Sequence, residues 1–233
     1  MITVATWNVL HRIHAQNWGE DATDRWPDEA ERIAAITASL AGRTEHVIAL
    51  QEVSGDQLAG LRQGLPERTV HTLRYPRVPA PRRGASPLTD PAEYLVLLTD
   101  GAARPVAAEP FPDDRGKGLL AVRAAGALVI ATHVSFGPRR TGQLARLAKL
   151  AGDSLGPVVL LGDFNADPDT VTTELGRAFT AAGLGPDEPP TRPGGKSPFI
   201  DHVIVRGAAV TGGAVEDVNG LSDHNLLSAT VTW

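Results

Sequence analysis

The chain has 233 residues, 42% of them hydrophobic and 21% charged, with a formal net charge of −5. That is enough chain for a sizeable core, and the acidic balance excludes a protein that coats long stretches of duplex nucleic acid. There are no cysteines, so disulfides, thiolate metal sites and cysteine nucleophiles are excluded.

Taken in chain order, Ile2 to Asn8 alternates apolar and polar residues and predicts a strand. His11 to Pro27 reads as an irregular loop holding Trp18 and Trp26. Asp28 caps a predicted helix running to about Leu40. Val47 to Gln51 is a short buried strand ending at Glu52, and Asp56 to Leu65 a second helix. Arg74 to Pro91, rich in proline and arginine, reads as a surface loop. Tyr94–Thr99, Leu119–Val122 and Ala127–Thr132 are predicted strands, the last ending at His133. Thr141 to Leu155 is helical, Pro157 to Leu161 a strand, and Val171 to Ala182 a further helix. After a loop over Pro186–Pro198, Phe199–Val205 and Leu227–Thr232 close the set as strands. No linker divides the chain, so one domain over residues 1–233 is expected. Short strands, often adjacent in sequence, fit two packed sheets with helices outside better than a repeated βαβ fold.

Polar groups collect where these strands end. Leu161-Gly162-Asp163-Phe164-Asn165 places a carboxylate and an amide two residues apart, on one side of the chain. Asn8, Glu52, His133, Asp201 and the pair Asp223-His224 repeat the pattern. Such a set suits a hard divalent cation and a phosphate ester. Each member alone has an ordinary structural use: a turn residue for Asn8 and Asn165, a strand-end ion pair for Glu52, a core histidine for His133.

Six ordered segments together resemble the endonuclease/exonuclease/phosphatase superfamily: Thr6-Trp7-Asn8, Leu50-Gln51-Glu52-Val53, Thr132-His133-Val134, Gly162-Asp163-Phe164-Asn165, Ile200-Asp201-His202 and Ser222-Asp223-His224. The resemblance implies a four-layer α/β/β/α sandwich and a Mg²⁺- or Mn²⁺-dependent hydrolase attacking a phosphoester in line with water. It implies Glu52, Asn8 and Asp223 as the metal residues. Asp163 corresponds to the base or orienting group, Asn165 and His133 to phosphate contacts, and Asp201 and His224 to a carboxylate–imidazole pair. His202 and Asn225 depart from the residues common at those places.

The substrate is less defined, because a shared fold and metal site do not name it. The segment after Asn8 is loosely similar to the deadenylase and Angel-type branch. That favours RNA or single-stranded nucleic acid, through nuclease or end-processing phosphatase activity. Trp18 is read as a stacking residue, and Lys117 and Arg140 as substrate cations. A small-molecule phosphatase, an apurinic-type DNA endonuclease and a non-catalytic binding module remain alternatives. No leader or membrane segment is read, which gives a cytoplasmic expectation; the oligomeric state is not readable.

Overall fold

The computed structural model describes all residues, Met1 to Trp233. It contains β1 (Ile2–Asn8), α1 (Arg12–Trp18), α2 (Ala22–Arg25), α3 (Glu29–Ala41), β2 (Val47–Ser54), α4 (Gly55–Gly64), β3 (Arg68–Arg74), β4 (Glu93–Asp100) and β5 (Ala103–Phe111). Then follow β6 (Asp114–Ala124), β7 (Ala127–His133), α5 (Arg139–Gly152), β8 (Val158–Asp163), α6 (Pro168–Leu175), β9 (Phe179–Ala181), β10 (Asp201–Arg206), β11 (Ala209–Glu216) and β12 (Leu226–Thr232). They form two six-stranded mixed sheets, ordered β11-β12-β1-β2-β4-β3 and β5-β6-β7-β8-β10-β9. Each sheet has one parallel pair near its centre, β1 with β2 and β7 with β8.

Three apolar cores separate four layers. Ile2, Val4, Val129, Ala131, Val159, Leu161, Val203 and Leu227 pack between the sheets. Ala5, Trp7, Ile48 and Leu50 turn the other way, onto Ile36 and Leu40 of α3 and Leu58 and Leu61 of α4. Ile130, Val158 and Leu160 face Leu144 and Leu147 of α5 and Val171 of α6. This is the expected α/β/β/α sandwich.

The sheets are therefore read by a period of two. Val4 faces the inter-sheet core, so Asn8 faces the same seam where β1 ends. The same count takes Ala131 to His133, Leu161 to Asp163 and Val203 back to Asp201. Four polar residues thus continue the inter-sheet face past the last apolar residue, at one edge of the sandwich.

Several elements differ from the sequence reading. His11–Pro27 is not irregular: it holds α1 and α2, and the His11 ring caps α1 by accepting from the Ile13 N–H. The predicted helix Val171–Ala182 stops at Leu175, where Gly176 takes φ 107°, and Phe179–Ala181 joins a sheet instead. Strands β3, β5 and β11 had no counterpart in the reading, and Phe199 and Ile200 precede rather than begin β10.

Candidate active site

Three local devices place the functional side chains. The first is a bulge. Leu50 and Val53 both face α3 and α4, although an unbroken strand would send residues three apart to opposite faces. The pairing of β2 with β4 shifts between them, and Glu52 takes φ 58°. The extra residue turns Glu52 out of the ladder toward the end of β1.

The second is the close approach of β7 and β8. A Cβ on Gly162 would lie 2.0 Å from the Thr132 carbonyl oxygen. Only glycine lets the two parallel strands run together there, which brings His133 beside Asp163.

The third is a stitched turn before β12. Ser222 Oγ donates to the Asn8 carbonyl at 2.6 Å, and the Trp7 indole N–H donates to the His224 carbonyl at 3.0 Å. From the other side the buried Arg32 guanidinium donates to the carbonyls of Val9, Leu10 and Leu221 while paired with Glu29. The turn carrying His224 is thereby fixed to the end of β1.

The result converges on Asp163. Its Oδ2 accepts from Asn8 Nδ2 at 3.2 Å, lies 3.2 Å from His133 Nε2 and 3.9 Å from His224 Nε2. Its Oδ1 accepts the Asn165 backbone N–H at 2.9 Å. Asn165 sits at φ 51° and donates its side-chain amide to the Val134 carbonyl. Lys117 lies against His133 Nε2. Burial alone would raise the Asp163 carboxyl, but His133, His224 and Lys117 outweigh it and hold it well below the usual carboxylate range.

His224 Nδ1 lies 2.8 Å from Asp201 Oδ2, with both side chains buried. Burial favours neutral imidazole, yet Asp201, Asp223 and Asp163 raise its pKa to about 10. His224 is an imidazolium at neutral pH. Burial pushes the Asp201 carboxyl up against the pull of His224, and its Oδ1 is buried without a partner.

Glu52 Oε2 accepts one long bond, 3.3 Å, from the His11 backbone N–H. Burial opposes its ionisation, but His14, His133, Lys117 and His224 hold it far below the usual range. An ionised carboxylate with spare lone pairs, and the amide of Asn8 at the paired end of the neighbouring β1, are oxygen donors of the kind that fits Mg²⁺ or Mn²⁺. Asp223, the third expected metal residue, lies beside His224 and its Oδ2 accepts from Arg192 at 2.9 Å. One ligand atom each from Asp163, Asp201 and His224 also lie within 4.8 Å of one another. An ion held there would need the neutral imidazole, so it would compete with the proton on His224.

The expected substrate residues divide. Lys117 is in the cluster. Trp18 is 67% exposed and stacked under Arg82, 4.3 Å from ring to guanidinium. The structure places Arg140 in a pair with Glu174 at 3.0 Å, between α5 and α6, and gives it no bond to the cluster. His202 is buried, bonded to the Ala166 carbonyl at 2.7 Å, so it braces β10 and does not line the site.

The sequence reading missed a supporting group behind Glu52. His14 Nε2 lies 3.1 Å from Glu93, which is fully buried, and Arg77 stands 3.8 Å away on the same oxygen. Only the charge of Glu93 at the head of a predicted strand signalled it.

The family model described as "Endonuclease/Exonuclease/phosphatase family" matches residues 5–224. The chain is a member of that family. No curated protein matches it in sequence. Among solved structures, D. rerio TDP2 humanised by 14 mutations aligns with TM-score 0.71 at 16% identity, covering 100% of this chain and 99% of that one. D. rerio TDP2 complexed with single-strand DNA product gives 0.70 at 15%, covering 100% and 99%. ANGEL2, a 2′,3′-cyclic phosphatase solved with adenosine-2′,3′-vanadate, gives 0.68 at 15%, covering 99% and 95%. At these identities the likeness is one of fold. Together with the family match, it makes this chain a phosphoesterase-superfamily protein.

Proposed function

We propose that this family member hydrolyses phosphoesters with Mg²⁺ or Mn²⁺, acting on ends of RNA or other single-stranded nucleic acid. One observation carries the reading: Asp163 Oδ2 stands between the Asn8 amide, which reaches it from the facing sheet, and two imidazoles, His133 from its own sheet and His224 from the turn before β12 of the facing sheet. Such an oxygen can hold a water in line with a phosphorus atom.

Glu52 would hold the ion with Asn8 beside it; bound there, it polarises a phosphoryl oxygen and offsets charge. The protein does the rest. Asp163 is too weak a base to deprotonate free water, so it first orients the nucleophile. As the new P–O bond forms the attacking oxygen becomes acidic, and its proton passes to Asp163 Oδ2. His224 Nε2 gives its proton to the leaving oxygen as the old P–O bond breaks. Asn165 and His133 stabilise the charge that builds on the phosphoryl oxygens. The two titrating groups are pushed in opposite directions, which is how one site runs acid and base chemistry together.

The nucleic-acid preference draws support from the ligands of the structural relatives, single-strand DNA product and adenosine-2′,3′-vanadate. The test is product analysis of end-labelled RNA and DNA carrying 3′-phosphate, 2′,3′-cyclic phosphate and unmodified ends. Turnover is expected with Mg²⁺ or Mn²⁺ and none in chelator. Asp163→Asn is expected to lower kcat by about 10²–10⁴-fold. Full activity in chelator, or near-normal turnover by Asp163→Asn, would overturn the reading.

A further inference from the structure

A cleft of about 750 Å³ opens beside the cluster, with Asn165 and Asp223 in its wall. It is within the size range of small-molecule sites. Its rim carries Phe136, which follows His133 by three residues and is 78% exposed. A solvent-facing phenyl ring beside a reaction centre offers a flat apolar face on which a base can stack.

The charges in this cleft decide what that partner is. Glu20, Asp21, Asp217 and Asp223 supply carboxylates; Arg25, Arg192 and Lys196 supply cations. Arg192 is committed, bridging Glu20 at 3.3 Å and Asp223 at 2.9 Å. The lining therefore has one carboxylate in excess, and only Arg25 and Lys196 are left to meet phosphates. A groove that tracks a nucleic-acid backbone needs a cation for nearly every phosphate it neutralises. This cleft offers two at most, Arg25 and Lys196, too few for a run of backbone. Carboxylates instead accept from sugar hydroxyls and exocyclic amines.

We infer that the cleft receives one unstacked nucleoside at the end of a strand, its base stacked on Phe136, and does not bind a run of backbone. This rests on the phosphoesterase reading above and specifies it: recognition is of a terminal nucleoside next to the scissile phosphate.

The experiment is fluorescence anisotropy with labelled single strands, using Asp163→Asn protein in Mg²⁺ and wild-type protein in EDTA. The strands are a trinucleotide, a long oligonucleotide, and the long one with an abasic terminal residue. A trinucleotide is expected to bind nearly as well as the long strand, and the slope of log K against log salt to be shallower than about −2. Loss of the terminal base is expected to weaken binding about tenfold. Phe136→Ala is expected to cost the same about tenfold on the intact strand and nothing further on the abasic one. Phe136 is exposed, so the substitution leaves the core intact. A steeper slope, affinity that grows with length, equal losses on intact and abasic strands, or no binding in either condition would each overturn the inference. Because binding is read apart from turnover, Phe136-dependent binding without cleavage would overturn the hydrolase reading alone. Metal-dependent cleavage with binding indifferent to Phe136 would overturn this inference alone.

Discussion

Asp201 commits one oxygen to His224, at 2.8 Å, and buries the other without a partner. Among the groups that raise the His224 pKa it is the strongest. Asp201→Asn keeps the shape of the side chain and removes the charge. The imidazolium then loses its main support, so its pKa falls from about 10 toward neutrality. The expected result is a kcat lower by about 10²–10³-fold, with the alkaline limb of the rate profile moved to lower pH. Steady-state rates across pH check this; an unmoved limb would mean that Asp201 is only a structural partner. At this scale the sequence was legible in part. Asn8, His133, Asp163 and Asp201 follow from counting by two along strands whose apolar residues are plain. Glu52 does not, because the bulge that redirects it depends on a register shift against β4, and pairing partners are not written in the strand itself. Nor does the seating of Asp223 on Arg192, which joins residues 31 apart through a loop.

Among whole elements, what was missed has one physical character. Strands β3, β5, β9 and β11 escaped the reading, and they are the outermost strands of the two sheets. Strand β5 carries Pro105 and Pro110, and β11 carries Gly212 and Gly213 at a register shift. Most of their residues are exposed or half-buried, so no apolar run marks them, and proline and glycine are what edges use against mispairing. Central strands are buried on both faces and stand out for that reason. Helix α1 was hidden differently, behind a histidine cap. His11 Nδ1 accepts from the Ile13 N–H at 3.2 Å, and Nε2 faces the Pro91 carbonyl at 3.2 Å. Only the neutral Nε2–H tautomer satisfies both. Burial, against the pull of Glu93, lowers its pKa to about 4. Because the folded pKa lies below the unfolded one, the unfolded chain binds the proton first. This contribution to stability is intact above about pH 6.5 and is lost as pH falls toward 4. By linkage the loss at pH 5 is about 2 kcal/mol. His224 runs the opposite way, since its raised pKa weakens the fold as pH rises above about 6.5, so the comparison must be between variants. His11→Asn keeps a cap acceptor and removes the titration. Urea unfolding at about pH 7.5 and pH 5 is expected to show the acid-side loss reduced by about 2 kcal/mol in the variant. An unchanged difference would show that another group carries it.

Taken as one body, the molecule is two sheets closed over an apolar seam, with acids at one open edge. Glu52, Glu93, Asp163 and Asp201 stand there, three of them buried. Direct polar ties between the sheets are few at this edge; Asn8 to Asp163 is one, at 3.2 Å. No helix is long and apolar enough to cross a membrane. A cation on Glu52 would offset the like charges and join the layers, and anything that binds only the folded state stabilises it by mass action. At a hundredfold excess over Kd the gain is about 2.7 kcal/mol, or roughly 5–10 °C in Tm for a chain of this length. Mg²⁺ or Mn²⁺ is therefore expected to raise the wild-type Tm by that order, measured against sodium chloride at equal ionic strength. Glu52→Gln keeps the bulge and an oxygen donor but loses the charge, and its Tm is expected to be indifferent to either ion. An equal shift in both proteins would place the ion elsewhere, and no shift in the wild type would remove Glu52 from the role of metal ligand.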